Sequence, residues 1–253
     1  VSKVSAPLAL RPRIEADVPR AAMVLSAGLG RRMRPLTATR PKPLIQVAGR
    51  PLIDYSFDSL VRAGVGEAVV NTHYLADQVE AHVKRVPAGL AIHLSDERQQ
   101  LLETGGGVKK ALDLIDADPF LILNSDNILM DGPCDTLSLL AQRWDPEAMD
   151  ALLLLVPLSR ANGYDGRGDF HMTQSGELTR RQGSRVAPFV YSGAQIIKKS
   201  AFQGTPDGKF SLNVVFDKLL EEGRLYGFAH QGGWYHVGTP EAVPDTEARL
   251  RGE

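Results

Sequence analysis

Residues 21–44 read AAMVLSAGLGRRMRPLTATRPKPL. The apolar run 21–27 ends at Gly28 and has the length and composition of a buried parallel strand. Glycines follow it, then a group of cations, then a proline-flanked lysine. Five cations (Arg31, Arg32, Arg34, Arg40, Lys42) and no acid lie between positions 31 and 42, in a chain whose formal charge is only -1. A glycine-rich backbone lets amide N–H groups approach an anion closely, and fixed cations neutralise what the amides leave uncompensated. That is the chemistry of a polyphosphate site. A merely solvated basic loop would not need glycines and prolines placed among the charges.

The pattern outward from this loop alternates strand and helix. Pro51 opens a helical pattern with Ile53, Phe57, Leu60 and Val61 on one face, and Gly64 suits its end. Residues 67–71 form a strand, 75–86 a helix and 90–94 a strand. Glu103-Thr104-Gly105-Gly106-Gly107 precedes a helix over 108–115. A strand over 119–123 ends in Asn124-Ser125-Asp126-Asn127. Such alternation implies a mainly parallel sheet with helices on both faces, whose ligands bind outside the carboxyl ends of the strands. The basic loop and Asp126 then share one edge. After residue 150 the rhythm changes. A strand is expected over 151–158, a turn at 165–169, a hairpin from 170–172 and 178–180, and a strand over 189–197. A helix over 212–222, a strand over 225–229 and a last helix over 240–250 follow. Gly193 inside its strand marks either a ligand's close approach or a packing bulge. The expected organisation is an extension over 1–20 and a single domain over 21–253. Its first part, to about 150, binds nucleotide; the rest binds acceptor.

Composition narrows the function. A pI near 6.7 argues against a nucleic-acid binder. The single Cys134 excludes an intrachain disulfide framework and a cysteine-rich zinc site, and fits a reducing, cytoplasmic setting. No apolar run is long enough to span a membrane, and residues 1–20 lack the apolar core of a secretory signal.

Gly28-Leu29-Gly30 opens like a dinucleotide fingerprint, but Met33 stands where the third glycine belongs. No Walker-type G-x-x-x-x-G-K-[ST] occurs. A triphosphate gripped by amides, Arg32 and Lys42 suits the pattern better. At this point LSAGLGRRMRPLT with PKPL resembles the signature of the sugar-1-phosphate nucleotidylyltransferases. The likeness extends through PLIDYSFDSLVRAGV, ETGGG, NSD, FVYSG and WYHVGT, from residue 21 onward. It implies a Rossmann-like, mainly parallel mixed sheet flanked by helices, with a smaller acceptor-binding part. It also implies a reaction between a nucleoside triphosphate and a sugar 1-phosphate that releases pyrophosphate. The pattern assigns no oligomeric state.

By that resemblance, Arg32 falls on the arginine that meets the triphosphate, and Lys42 on the catalytic lysine. Ala27, Gly28 and Gly30 present backbone to the nucleotide, and Glu103 and Gly106 lie where base and ribose bind. Asn71 ends a strand on the same edge. Asp126 falls on the metal-binding aspartate; a helix N-cap is its alternative role. The implied cofactor is Mg²⁺, or Mn²⁺ or another divalent cation. Many relatives carry a second aspartate where this chain has His236, in Trp234-Tyr235-His236-Val237-Gly238-Thr239. Imidazole suits a softer ion than Mg²⁺, so His236 either ligates metal or contacts phosphate. Asp169, Gly193 and Asn213 are the acceptor-side residues. The ETGGG and GRGDF segments in so compact a chain resemble the N-acetylmuramate-1-phosphate uridylyltransferases of cell-wall recycling. That implies UTP as donor. Mannose- or heptose-1-phosphate guanylyltransferases are the alternative, and a catalytically silent nucleotide sensor is the non-enzyme alternative.

Overall fold

A computed structural model describes residues 14–85 and 89–252. The chain begins with β1 (Ala21–Leu25), the small hairpin β2 (Gln46–Val47) and β3 (Arg50–Pro51), and α1 (Leu52–Arg62). Next come β4 (Glu67–Thr72), α2 (Ala76–Val83), β5 (Ala91–Asp96), α3 (Glu103–Ala111), β6 (Phe120–Asn124), β7 (Asn127–Met130) and α4 (Thr136–Gln142). The second half holds β8 (Ala151–Pro157), β9 (Phe170–Met172), β10 (Leu178–Arg180) and β11 (Phe189–Ile197). It ends with α5 (Leu212–Glu221), β12 (Leu225–Ala229), β13 (Gly233–His236) and α6 (Ala242–Arg251).

The main sheet runs β12-β8-β11-β6-β1-β4-β5, and the β9–β10 hairpin pairs with the start of β11. Strands β5, β4, β1 and β6 are mutually parallel, as are β8 and β12. β11 is antiparallel to both β6 and β8, so among these seven strands it runs against the others. This is the mixed, mainly parallel sheet the alternation implies. Strands from either side of residue 150 join it, so the two halves share one sheet. A second, two-stranded ladder joins β7 to β13 and brings Asn127 opposite His236.

Both faces are covered, which is why the central strands read as continuous apolar runs rather than alternating ones. Met23, Phe120, Ile122 and Leu153 face a core closed by α3 and α5. Val24, Leu121, Leu123 and Leu154 face the opposite core, closed by α1, α2 and α4. On α1, Ile53, Phe57 and Leu60 form the buried stripe, as their helical spacing requires. Val61 is exposed instead.

Several boundaries differ from expectation. β1 ends at Leu25, and β5 continues to Asp96. α2 ends at Val83, and residue 86 of the expected helix lies outside the described residues. The largest difference is α3, which starts at Glu103 and takes the three glycines into its first two turns. Leu112–Leu114 tightens into a 3-10 turn.

Candidate active site

The basic loop leaves the carboxyl end of β1 and is tied down at several points. Gly30 is left-handed (φ 60°), and its carbonyl accepts from the Met33 amide and the Thr37 hydroxyl. A Cβ there would press on Thr37 and Lys42, so glycine sets the path that brings Lys42 inward. Met33 is fully buried beside Val47, Leu52, Ile128 and Val237. A residue that breaks the dinucleotide fingerprint is thus the anchor of this loop.

One cavity of about 370 Å³ opens at the ends of β1, β4 and β6. Ala27, Gly28, Asn71, Glu103 and Lys42 line it, together with Asp126. Nothing stands within 4 Å of where a Gly28 side chain would project. Asn71 is buried and fully engaged: its Oδ1 accepts from the Ser26 amide at 2.7 Å, and its Nδ2 donates to Glu97 Oε1 at 2.7 Å. Glu97, only 1% exposed, also accepts from the Leu102 amide at 3.0 Å. Its backbone carbonyl meets His73 Nδ1 at 2.7 Å. This relay links the loop after β1 to the start of α3. A buried carboxylate needs such partners. Glu97 is a positioning residue that sequence reasoning missed, although it follows β5 on the ligand edge.

Asp126 caps no helix. It sits in the turn from β6 to β7, and its carbonyl accepts from the Val237 amide at 3.1 Å. Its carboxylate meets Lys42 Nζ at 2.6 Å. Burial opposes ionisation there, but the Lys42 ammonium and His236 outweigh it and hold the carboxyl below its ordinary pKa. His236 Nδ1 lies 2.8 Å from Asn127 Oδ1. That oxygen only accepts, so Nδ1 carries the proton and Nε2 presents a lone pair. Burial lowers the imidazole pKa; Asp126 works against this, and Lys42 and Arg32 add to it. The ring is therefore neutral near pH 7. A Cβ on Gly238 would lie 2.5 Å from Nε2, so glycine keeps that nitrogen reachable. Among the described residues, no group of three or more His, Cys, Asp or Glu could hold a metal ion. Asp126 with one imidazole is instead a partial donor set, suited to a divalent cation that takes its remaining ligands from phosphate and water. Arg32 is exposed and makes no hydrogen bond or ion pair among the described residues.

A second cavity, of about 580 Å³, lies on the other side of Asp126 and shares Asn124 and Asp126 with the first. Arg32, His236, Asp169 and Asn213 line it. Its walls are aromatic: Tyr164 meets Trp234 edge-on at 6.5 Å, and Trp234 stacks on His236 at 5.9 Å. Asp169 Oδ2 accepts from the Tyr191 amide at 2.9 Å. Burial and the Asp169 charge raise the Tyr164 pKa, so its hydroxyl stays protonated. Arg180, at the end of β10, also lines this cavity, and the sequence did not single it out.

Two expected contacts are packing contacts instead. Gly106 is buried in α3 and does not line the cavity; a Cβ there would meet the Gly208 carbonyl oxygen at 2.0 Å. The close approach at Gly106 is to the 208–211 segment. The amides of Gly105 and Gly106 both donate to the Phe210 carbonyl, and Thr104 Oγ1 accepts from the Leu212 amide at 2.9 Å. Gly193 occupies a bulge of β11 at φ 89°, where a side chain would strike Asn124 and Asn127. It lets the two asparagines flanking Asp126 pack, and it does not line the acceptor-side cavity.

The two cavities meet at Asp126, whose carboxylate pairs with Lys42, on the carboxyl edge of a mainly parallel sheet. The model of the nucleotidyl transferase family matches residues 21–166. An N-acetylmuramate alpha-1-phosphate uridylyltransferase of Caulobacter vibrioides is 46% identical over 237 residues, covering 92% of this chain and 98% of that protein. One of the same name from Neisseria meningitidis is 35% identical, covering 90% of this chain and 96% of that protein. Among solved structures, a UDP-glucose pyrophosphorylase from Acinetobacter baumanii superposes with TM-score 0.76 at 19% identity. It covers 91% of this chain and 93% of its own, a likeness of fold alone. The chain belongs to the nucleotidyl transferase family and is a nucleotidyltransferase. No helix among the described residues is long and apolar enough to cross a membrane.

Proposed function

We propose that this enzyme transfers uridylyl from UTP to N-acetylmuramate 1-phosphate, giving UDP-N-acetylmuramate and pyrophosphate in the cytoplasm. The observation that carries the reading is the junction of the two cavities at Asp126 and Lys42. The names of the two relatives support the choice of base and sugar. In the reaction an oxygen of the sugar phosphate forms a bond to the α-phosphorus. The bond from α-phosphorus to the bridging oxygen breaks, and pyrophosphate leaves with that electron pair. The attacking oxygen is already ionised near pH 7, so no strong base is needed. Alignment and charge neutralisation then carry the rate.

Each residue has a place in that scheme. The UTP side takes Ala27, Gly28 and Glu103, with Asn71 holding the loop after β1 in register. Lys42 Nζ stands between the two anions, and Arg32 reaches the phosphates that leave. A guanidinium matches phosphate oxygens bidentately. Asp126, with His236 Nε2, would hold a divalent cation. When bound, the cation supplies further neutralisation of phosphate charge. Asp169 and Asn213 meet the sugar.

The test is pyrophosphate release from UTP, GTP, CTP, ATP and dTTP against N-acetylmuramate, N-acetylglucosamine, glucose, mannose and heptose 1-phosphates, with Mg²⁺ and with Mn²⁺. Turnover confined to UTP with the muramate phosphate is expected. Preference for GTP with mannose or heptose phosphate would keep the mechanism and replace the substrates. Triphosphate binding with no turnover on any pair would leave a nucleotide sensor.

A further inference from the structure

The far end of the acceptor-side cavity carries one cation whose chemistry the nucleotidyl transfer does not use. Arg180 closes β10, three inter-strand steps from β6 in the order β10-β9-β11-β6. That is on the order of 14 Å of sheet between the two strands, which sets Arg180 apart from Lys42 on the loop after β1. Yet Arg180 lines the same cavity as Asp126 and Arg32. It is held rigidly there. Nε donates to Asp217 Oδ1 at 2.8 Å, and Nη2 donates to Asn213 Oδ1 at 3.0 Å. The guanidinium carbon sits 4.8 Å above the Phe170 ring and 6.0 Å from the Phe216 ring. These contacts use Nε and Nη2 and leave Nη1 without a hydrogen-bond partner among the described residues. A third of the side chain remains exposed. The result is an oriented arginine edge in an aromatic cleft, pre-set to receive a planar anion.

The neighbouring charges show why such a cation would be required. Asp165 and Asp169 line the same cavity, and Asp217 is ion-paired with Arg180 at 2.8 Å, so this arginine is the cation that offsets a locally acidic end of the cleft. Without Arg180 that end of the cleft would be acidic and would repel an anionic sugar. N-Acetylmuramate differs from N-acetylglucosamine by a lactyl ether on the sugar ring that ends in a carboxylate. We infer that Arg180, through Nη1, binds this lactyl carboxylate and is the residue that selects N-acetylmuramate 1-phosphate over N-acetylglucosamine 1-phosphate. Asn213 and Asp217 position the guanidinium. The inference rests on the acceptor reading proposed above and adds to it the group that reads the acceptor.

The experiment compares kcat/KM of the wild type and Arg180→Gln on three acceptors with UTP. They are N-acetylmuramate 1-phosphate, its neutral lactyl carboxamide and N-acetylglucosamine 1-phosphate. A charge-assisted hydrogen bond of this kind predicts a loss of roughly 10- to 100-fold on the muramate phosphate. The loss on the two neutral acceptors should be much smaller, so the selectivity ratio collapses. In the wild type, the carboxamide should lose as much as Arg180→Gln loses on the acid. The two changes together should cost no more than either alone. That non-additivity does not depend on the variant's stability, because one arm alters only the substrate. Equal loss on all three acceptors would make Arg180 a structural residue and overturn the assignment. A wild type that prefers the muramate phosphate, with Arg180→Gln preserving the preference, would overturn it while the acceptor reading stands. A wild type that uses N-acetylglucosamine 1-phosphate as well as the muramate would overturn the acceptor reading and the assignment together.

Discussion

The two ends of the main sheet use charge in opposite ways. At the amino ends of the parallel strands, charges are matched locally. Arg20 pairs with Asp116 at 2.6 Å, and Asp150 receives Lys198 at 2.8 Å and Arg224 at 2.9 Å. Asp150 with its two partners, Lys198 and Arg224, ties β8, β11 and β12 together where β8 and β12 begin and β11 ends. At the carboxyl ends of β1 and β6, the charges face cavities. Arg32 has no ionic partner among the described residues, and the Lys42–Asp126 pair lies across the junction of two clefts. One end holds the strands in register; the other holds charge ready for a ligand. Substitutions at the two ends should therefore fail in different assays.

The largest effect belongs to Lys42. Lys42→Met should lower turnover roughly 10²- to 10³-fold, the usual cost of removing one group that stabilises developing charge. The melting temperature should fall little, because Asp126 is about a quarter exposed and water can reach it. Steady-state kinetics beside thermal unfolding checks this. A variant that loses stability in proportion to activity would break the contrast between the two ends.

Gly106→Ala comes next and tests the scaffold beneath the site. The new Cβ must displace the Gly208 backbone, because 2.0 Å is no possible contact. Overpacking of this kind costs on the order of 1–3 kcal/mol. Denaturant unfolding should show that loss, and UTP affinity should fall with it, since Thr104 and Glu103 shift together. Unchanged stability would mean that the 208–211 segment is not packed against α3.

His236→Asp sharpens the chemistry of the junction. A carboxylate in place of imidazole should favour the harder ion. The ratio of kcat/KM with Mg²⁺ to that with Mn²⁺ should rise by roughly tenfold, about one 1.4 kcal/mol step of differential affinity. An unchanged ratio in an otherwise active variant would assign His236 to phosphate rather than metal.

The sequence shows these two ends unequally. The alternation of apolar runs and helical stripes carries the sheet because burial on both faces leaves a local, periodic mark at Met23, Ile122 and Leu153. The basic loop and Asp126 are visible because glycine, proline and charge are concentrated within a short span. Glu97 and Arg180 are not visible, because an acid or arginine near a turn has the same local pattern whether buried or solvated. The packing role of Gly106 is hidden for a related reason. Its neighbour is the Gly208 carbonyl, brought near by the fold from a segment whose Leu212 amide bonds Thr104 across 108 positions. Nothing local separates a glycine kept for a ligand from one kept for another part of the chain.

The smallest effect lies at the amino end and has a pH signature. The Arg224 hydrogen bond, opposed by burial and joined by the Lys198 hydrogen bond and the charge of both cations, holds the Asp150 carboxyl below its ordinary pKa. A depressed folded-state pKa contributes stability above the unfolded value of 3.8, and that contribution is lost as pH falls through the folded value. Asp150→Asn should therefore cost about 1 kcal/mol at pH 7. The gap from wild type should stay level down to about pH 5 and shrink as pH falls further below the ordinary carboxylate range. Activity at pH 7 should not change, because among the described residues none that lines the two site cavities hydrogen-bonds this cluster. Unfolding curves of both proteins across that range test it. A gap that persists at low pH would mean that packing around β8, rather than charge, holds this end of the sheet.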